Sequence, residues 1–261
     1  MTVWTTLDLA DDGRGIVTVT LNRPEARNAL SAAMISELTH MARSVGAARS
    51  TRVIVLRGAG PVFCAGGDLR WMQDQIKADR ATRIAEARKL ADMLRALNEM
   101  PCPLIGAIHG GAFGGGVGLA CVCDVALSLP DCRFGLTETR LGLIPATIAP
   151  YVLARMGEGA ARQVFMSSRL FSATEAKELG VVSRIVPEAQ LSAQIEAEAA
   201  PYLSTSGSAV AAAKAMARSL GPDITDAVID ASIARLADVW ETPDAAEGIA
   251  AFLEKRRPDW S

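Results

Sequence analysis

Short runs of β-branched and aliphatic residues recur along the chain at Ile16 to Leu21, Val53 to Gly58, Leu104 to Ile108, Val125 to Leu129 and Val181 to Val186. Between them apolar positions fall mostly at helical spacing, and this alternation predicts parallel βαβ units. Ser31 stands where a helix N-cap belongs, ahead of Met34, Ile35, Leu38, Met41 and Val45 on one predicted face. Ser172 and Glu175 have the spacing of a capping box, and Gly180 sits where a helix ends on a left-handed residue. Beyond about Pro187 the chain becomes alanine-rich and helical in period without a Gly/Ser linker. The expected organisation is a core over residues 1–190 and a helical C-terminal subdomain over 191–261, packed on the same molecule or a neighbour.

With 261 residues, half of them apolar and 21% charged, the chain is large enough to bury a core of its own. A formal charge of −2 and scattered Lys and Arg argue against nucleic acid as a partner. Five cysteines and two histidines support neither a disulfide framework nor a zinc site, so no metal is expected. The first residues, MTVWTTLDLADDG, have no basic and apolar leader pattern, which points to a cytoplasmic protein. One stretch, Pro101 to Asp124, is uncharged apart from its last residue and raises the question of a membrane span. Its seven glycines and two early prolines favour a strand, a turn and a helix start instead.

That glycine-rich turn would present bare backbone N–H groups at a helix N-terminus, a place suited to developing negative charge. Three such segments follow predicted strands: Asn22-Arg-Pro-Glu-Ala-Arg-Asn-Ala29, Phe63-Cys-Ala-Gly-Gly-Asp-Leu69 and Ala112-Phe-Gly-Gly-Gly-Val-Gly118. Their order and spacing resemble the crotonase (enoyl-CoA hydratase/isomerase) family. The resemblance continues through Cys123-Asp124, Phe134-Gly-Leu-Thr-Glu-Thr-Arg-Leu-Gly-Leu-Ile-Pro145 and Phe252-Leu-Glu-Lys-Arg-Arg-Pro258, and so spans nearly the whole chain.

The resemblance implies an α/β spiral of ββα units, a homotrimer or dimer of trimers, and acyl-CoA thioester substrates with no separate cofactor. It places the oxyanion-holding N–H groups at Gly67 and Gly115. Donors preorganised there would stabilise an enolate most in the transition state. It also implies CoA contacts at Ala26, Arg27, Ala65, Asp68 and Leu69, with Lys255 reaching over from a neighbouring subunit. Family hydratases generally carry two glutamates; the matching positions here are Gly118 and Glu138. Glu138 is therefore the candidate acid/base, with its pKa expected to rise among Leu136, Leu141 and Ile144. The competing reading pairs Glu138 with Arg140 on one strand face. Asp68 is also a candidate helix cap, Asp124 a structural carboxylate, Cys64 a small packing residue and His109 a core or CoA-side histidine.

Within the family, the closest local resemblance is to hydratases of branched, carboxylated enoyl-CoA, of the methylglutaconyl or isohexenylglutaconyl type, with Gly118 in the substrate pocket and Arg140 on the distal carboxylate. The alternative is a Δ3,Δ2-enoyl-CoA isomerase, in which one glutamate shuttles one proton. A third reading is an acyl-CoA-binding member without turnover.

Overall fold

A computed structural model describes residues 3–260. The predicted strand runs form β2 (Ile16–Leu21), β3 (Val53–Gly58), β4 (Leu104–Ile108) and β6 (Val125–Ser128), which lie parallel in one sheet. This sheet has the order β1-β2-β3-β4-β6-β9, with β1 (Leu7–Asp11) antiparallel at one edge. The Val181 to Val186 run contributes only β9 (Arg184–Ile185). The Val181 and Val182 N–H groups are taken by the Ala176 carbonyl at the end of the preceding helix, so they cannot join the ladder. A second sheet is built from β5 (Gly111–Phe113), β7 (Arg133–Gly135) and β8 (Leu170–Ser172).

Alternation along the parallel strands divides the core. Val17, Val19, Leu21, Ile54, Leu56, Leu104 and Ile108 face α1 (Ala32–Ser44), α3 (Arg80–Glu99) and α4 (Gly115–Val122) in the main cluster. Ile16, Val53, Val55, Ile105 and Leu127 face the other way, where α8 (Leu191–Leu203) covers them with Leu191, Ile195 and Ala199. The ββα repetition implied by the resemblance appears as β1-β2-α1 and β4-β5-α4.

Local signals behave as their chemistry requires. The Ser31 hydroxyl accepts from the Met34 N–H, and Gly180 has φ +84°. Ser172 caps α7 (Ala173–Glu178) by accepting from the Glu175 N–H, but Glu175 does not complete the box, because its carboxylate is held by Arg169.

The remaining helices are α2 (Leu69–Lys77), α5 (Ala149–Met156), α6 (Glu158–Phe165), α9 (Gly207–Ser219), α10 (Asp226–Trp240) and α11 (Pro243–Glu254). Helix α10 lies along α3: Ile229, Ile233, Leu236 and Trp240 join Ala87 and Ala91 in a second apolar cluster. Arg88 and Arg95 reach across from α3 to Asp226 at its rim. No helix among the described residues is long and apolar enough to cross a membrane.

Candidate active site

Because β3 and β4 are parallel neighbours, the chain leaves both at the same edge of the sheet, and the loops there meet. The Phe63 N–H donates to the His109 carbonyl (2.9 Å), the Cys64 N–H to Gly111 (3.2 Å) and the Phe113 N–H to Cys64 (3.0 Å). The segment before α1 is sewn to the same place by Ala65 N–H to Arg27 O (3.0 Å) and Leu30 N–H to Gly66 O (2.7 Å). Ala26, Arg27, Ala65, Asp68 and Leu69 are thereby brought to one rim, with Arg27 and Leu69 exposed.

The same pairings leave two donors over. At the parallel bridge of Leu30 with Gly67, Leu30 bonds to the Gly66 carbonyl and the Asp68 N–H, so the Gly67 N–H points away from the ladder. Gly115 is the first residue of α4, where an N–H has no helical partner. Glycine is required between them for different reasons. Gly114 has φ +48°, and a Cβ on it would stand 2.8 Å from Glu138 Oε1; a Cβ on Gly66 (φ +94°) would stand 2.7 Å from the Phe113 carbonyl oxygen. Beside Gly67, by contrast, a Cβ would meet nothing within 4 Å.

Glu138 enters from the second sheet. Residues Glu138–Leu141 form a single 3-10 turn after β7, closed by Gly142 at φ +66°. Gly142 and Gly248 let α11 approach closely: Cβ atoms there would fall 2.3 Å from the Asp244 carbonyl oxygen and 2.5 Å from the Leu141 carbonyl carbon. Glu138 Oε2 is fully enclosed and has no hydrogen-bond partner among the described residues. Burial pushes the Glu138 pKa up to about 7, against the pull of the Glu138 and Thr137 backbone N–H groups. A carboxyl so placed can both accept and return a proton near neutral pH.

Residues 11–261 match the sequence profile described as enoyl-CoA hydratase/isomerase. The chain belongs to the enoyl-CoA hydratase/isomerase family. It is 33% identical to a probable enoyl-CoA hydratase of Mycobacterium bovis, across 100% of this chain and 99% of the relative. An enoyl-CoA hydratase from Mycobacterium avium superposes with a TM-score of 0.84 at 32% identity, covering 98% of this chain and 99% of that one. AtuE of Pseudomonas aeruginosa does so at 0.79 and 37% identity, over 98% and 99%.

Against this family frame, the other candidates sort by what their side chains already do. Asp68 caps α2, accepting from the Arg70 N–H (2.9 Å) and Trp71 N–H (3.4 Å), and pairs with Arg23 at 2.8 Å. These donors hold its carboxyl below the usual range despite burial. Burial pushes the Cys64 thiol up to about 12, so it stays protonated and unreactive. His109 Nε2 is bonded to the Gly60 carbonyl at 2.8 Å, and Asp124 pairs with Lys214 (2.7 Å) and accepts from the Leu104 N–H. Lys255 is exposed at the left-handed C-cap of α11.

The strand pairing of Glu138 with Arg140 does not form. In a 3-10 turn residues two apart point about 240° apart rather than together. Arg140 is exposed, with its guanidinium on the Ser168 carbonyl (3.4 Å) and its N–H on the Ser168 hydroxyl (2.9 Å).

At Gly118, the position where the resemblance implies a second carboxylate, the space for a side chain is already filled. A Cβ there would lie 2.6 Å from Ile148 Cγ2, with Leu94 Cδ1 at 3.7 Å. Sequence reasoning missed Ile148, 30 positions away, because nothing local links the two. It also missed Arg23, which braces Asp68, and Asn28. Asn28 is buried at φ +54°, accepts from the Arg23 N–H and donates to the Ala59 and Val62 carbonyls. The signal that would have found it is an asparagine in a turn that needs a left-handed residue.

A cavity of about 360 Å³ lies at the far end of the sheet, before β3 and β4, lined by Arg49, Arg52, Pro101, Tyr202 and Ser206 among others. None of the site candidates lines it. Among the described residues no group of three or more His, Cys, Asp or Glu is placed to hold a metal ion.

Proposed function

We propose that this protein adds water to, or removes it from, the C2–C3 bond of a branched, carboxylated enoyl-CoA of the methylglutaconyl type. The observation carrying the acid–base chemistry is one enclosed carboxyl, Glu138, against the glycine turn whose Gly115 N–H is left without a partner; the choice of a branched, carboxylated substrate rests on the local resemblance over Gly114 to Leu119 and Phe134 to Val152. The thioester oxygen accepts from the Gly67 and Gly115 N–H groups. Glu138 as carboxylate takes a proton from water while the hydroxyl oxygen bonds to C3, and the electron pair of the double bond moves to C2 and the thioester oxygen. Glu138 then returns that proton to C2, which restores the thioester. One carboxyl completes the cycle because it is base in the first half and acid in the second.

Coenzyme A enters as part of the substrate, and no further cofactor is needed. The protein works in the cytoplasm as a homotrimer or dimer of trimers, its helices from residue 191 onward closing the pocket and meeting neighbouring subunits. Lys255 reaches toward a neighbour's nucleotide.

A second reading has its own support. With Ile148 and Leu94 filling the space at Gly118, the carboxyl count equals that needed for Δ3,Δ2-isomerisation. Assays of the purified protein against 3-methylglutaconyl-CoA, crotonyl-CoA and a 3-enoyl-CoA separate the two. Hydration of the first supports the hydratase; double-bond migration without hydration of any substrate refutes it.

A further inference from the structure

Two polar atoms on α2 are enclosed yet have no hydrogen-bond partner among the described residues: Trp71 Nε1 and Gln75 Oε1. They are four residues apart on one helix face, and both line a cavity of about 10 Å³ closed by Ala87, Ile233, Leu236 and Trp240. That space holds one oxygen atom. Arg83 lines the same cavity, held by the Gln75 carbonyl (2.8 Å) and the Ile76 carbonyl (3.1 Å), with its guanidinium carbon 5.3 Å from the Trp240 ring centre. No carboxylate forms a salt bridge with Arg83 among the described residues: its hydrogen-bonded anchors are neutral carbonyls, and Asp79 at the N-cap of α3 attracts it only through space, so the guanidinium can still face an anion. Two orphaned groups and a cation around room for one oxygen are costly unless an oxygen arrives.

The slot adjoins the two segments that flank the candidate site. Helix α2 starts directly after Gly67, so Trp71 and Gln75 stand about 6 and 12 Å along it at 1.5 Å per residue. The slot walls Ala87, Ile233, Leu236 and Trp240 share one apolar cluster with Leu143 and Ala146, and Leu141 and Ile144 pack on that cluster. That segment follows Glu138 directly.

Resting on the carboxylated-substrate reading above, we infer that Trp71, Gln75 and Arg83 form the subsite for the carboxylate at the far end of the acyl chain. One carboxylate oxygen accepts from the Trp71 indole N–H. A half-turn of the Gln75 amide, whose two ends are nearly alike in shape, presents a second donor in place of Oε1. Arg83 balances the charge. Arg140, exposed on the Ser168 side of its turn, is not needed for this contact.

The test compares wild type, Trp71→Phe and Arg83→Gln on 3-methylglutaconyl-CoA and on 3-methylpent-2-enoyl-CoA, the same skeleton with a methyl in place of the carboxylate. Thermal unfolding of each variant identifies any that fail to fold. Each folded variant should raise KM for the carboxylated substrate about ten- to a hundredfold, the loss of a hydrogen bond or pairing to a charged group, with less than about threefold change for the neutral one. Equal losses on both substrates would show that the residues only pack, and no change on either would show that the slot holds water alone; both overturn the inference. The carboxylated-substrate reading is judged separately by wild type: a preference for the neutral substrate removes it, whereas a preference for the carboxylated one with unselective variants removes only the assignment to these residues.

Discussion

Replacing Glu138 by glutamine separates the cost of burying a charge from the chemistry that the charge performs. The Glu138 carboxyl titrates at about 7 rather than the ordinary 4.5. A raised carboxyl pKa favours the protonated folded form, so its contribution to stability is full below 4.5 and is lost as pH rises through 7. At one pKa step per 1.36 kcal/mol the full penalty above pH 7 is about 3 kcal/mol, of which about 2 kcal/mol develops between pH 5.5 and 8. Glutamine is uncharged throughout. The orphaned position of Oε2 costs the amide a fixed amount that does not change with pH.

Relative to wild type, Glu138→Gln should therefore gain about 2 kcal/mol between pH 5.5 and 8, roughly 4 to 8 °C in Tm for a chain of this size. Activity should fall by about a hundredfold to ten-thousandfold, since no second carboxyl takes over. Wild-type kcat/KM for hydration should rise about tenfold per pH unit below 7 and level off above it, because the first step needs the carboxylate. Urea unfolding at the two pH values, with initial rates over the same range, checks all three. Parallel stability curves for the two proteins would refute the desolvated carboxyl, and a variant retaining a tenth of wild-type activity would remove Glu138 from the reaction.

Other substitutions test the surrounding frame. Gly118→Ala would place its methyl 2.6 Å from Ile148 Cγ2, and should lose about 1–3 kcal/mol in urea unfolding despite alanine's better helix propensity. Ile148→Ala in the same chain should reduce the cost of the Gly118 change, leaving only the 3.1 Å approach to the Ile148 Cβ. Gly67→Ala meets nothing within 4 Å, so it should unfold within about 0.5 kcal/mol of wild type. Its methyl would stand where the thioester enters, however, and kcat/KM should collapse; an active Gly67→Ala would place the oxyanion donor elsewhere. Asp68→Ala removes the cap of α2 and leaves Arg23 only the Ala29 carbonyl, for about 1–3 kcal/mol by urea unfolding. The Asp68 carboxyl titrates below the usual range, so this loss should shrink as pH falls through it.

Much was legible along the chain because its causes are local. Runs of aliphatic residues placed β2, β3 and β4 and all of β6, overshooting the last by one residue; Ser31 and Ser172 cap by reaching three residues on; Gly180 ends a helix by its own φ. The glycine turn was readable from its composition between a strand and a helix start, and the candidate carboxyl was implied by the family resemblance, which assigns it by position in the Phe134 to Pro145 segment. Where chain segments far apart compete for one group, the linear pattern was silent or misleading. Val181 and Val182 have strand composition, but the Ala176 carbonyl takes their N–H groups. Glu138 and Arg140 looked like strand neighbours, and a 3-10 turn closed by Gly142 against α11 turns them apart.

Sequence alone determined the four long parallel strands, the caps at Ser31 and Ser172, the family resemblance and the absence of a proton-carrying side chain at Gly118, since each depends on residue type and short spacing. Only tertiary structure decided what that glycine means. Ile148, at the N-cap of α5, and Leu94, on α3, arrive to fill the space. Glu138 is enclosed where the turn after β7 packs on the glycine turn after β5, and its proton affinity follows from that enclosure. The polar slot on α2 exists only because α10 folds back over it. Desolvation and close packing are properties of what surrounds a residue in space, and that is set by the whole fold.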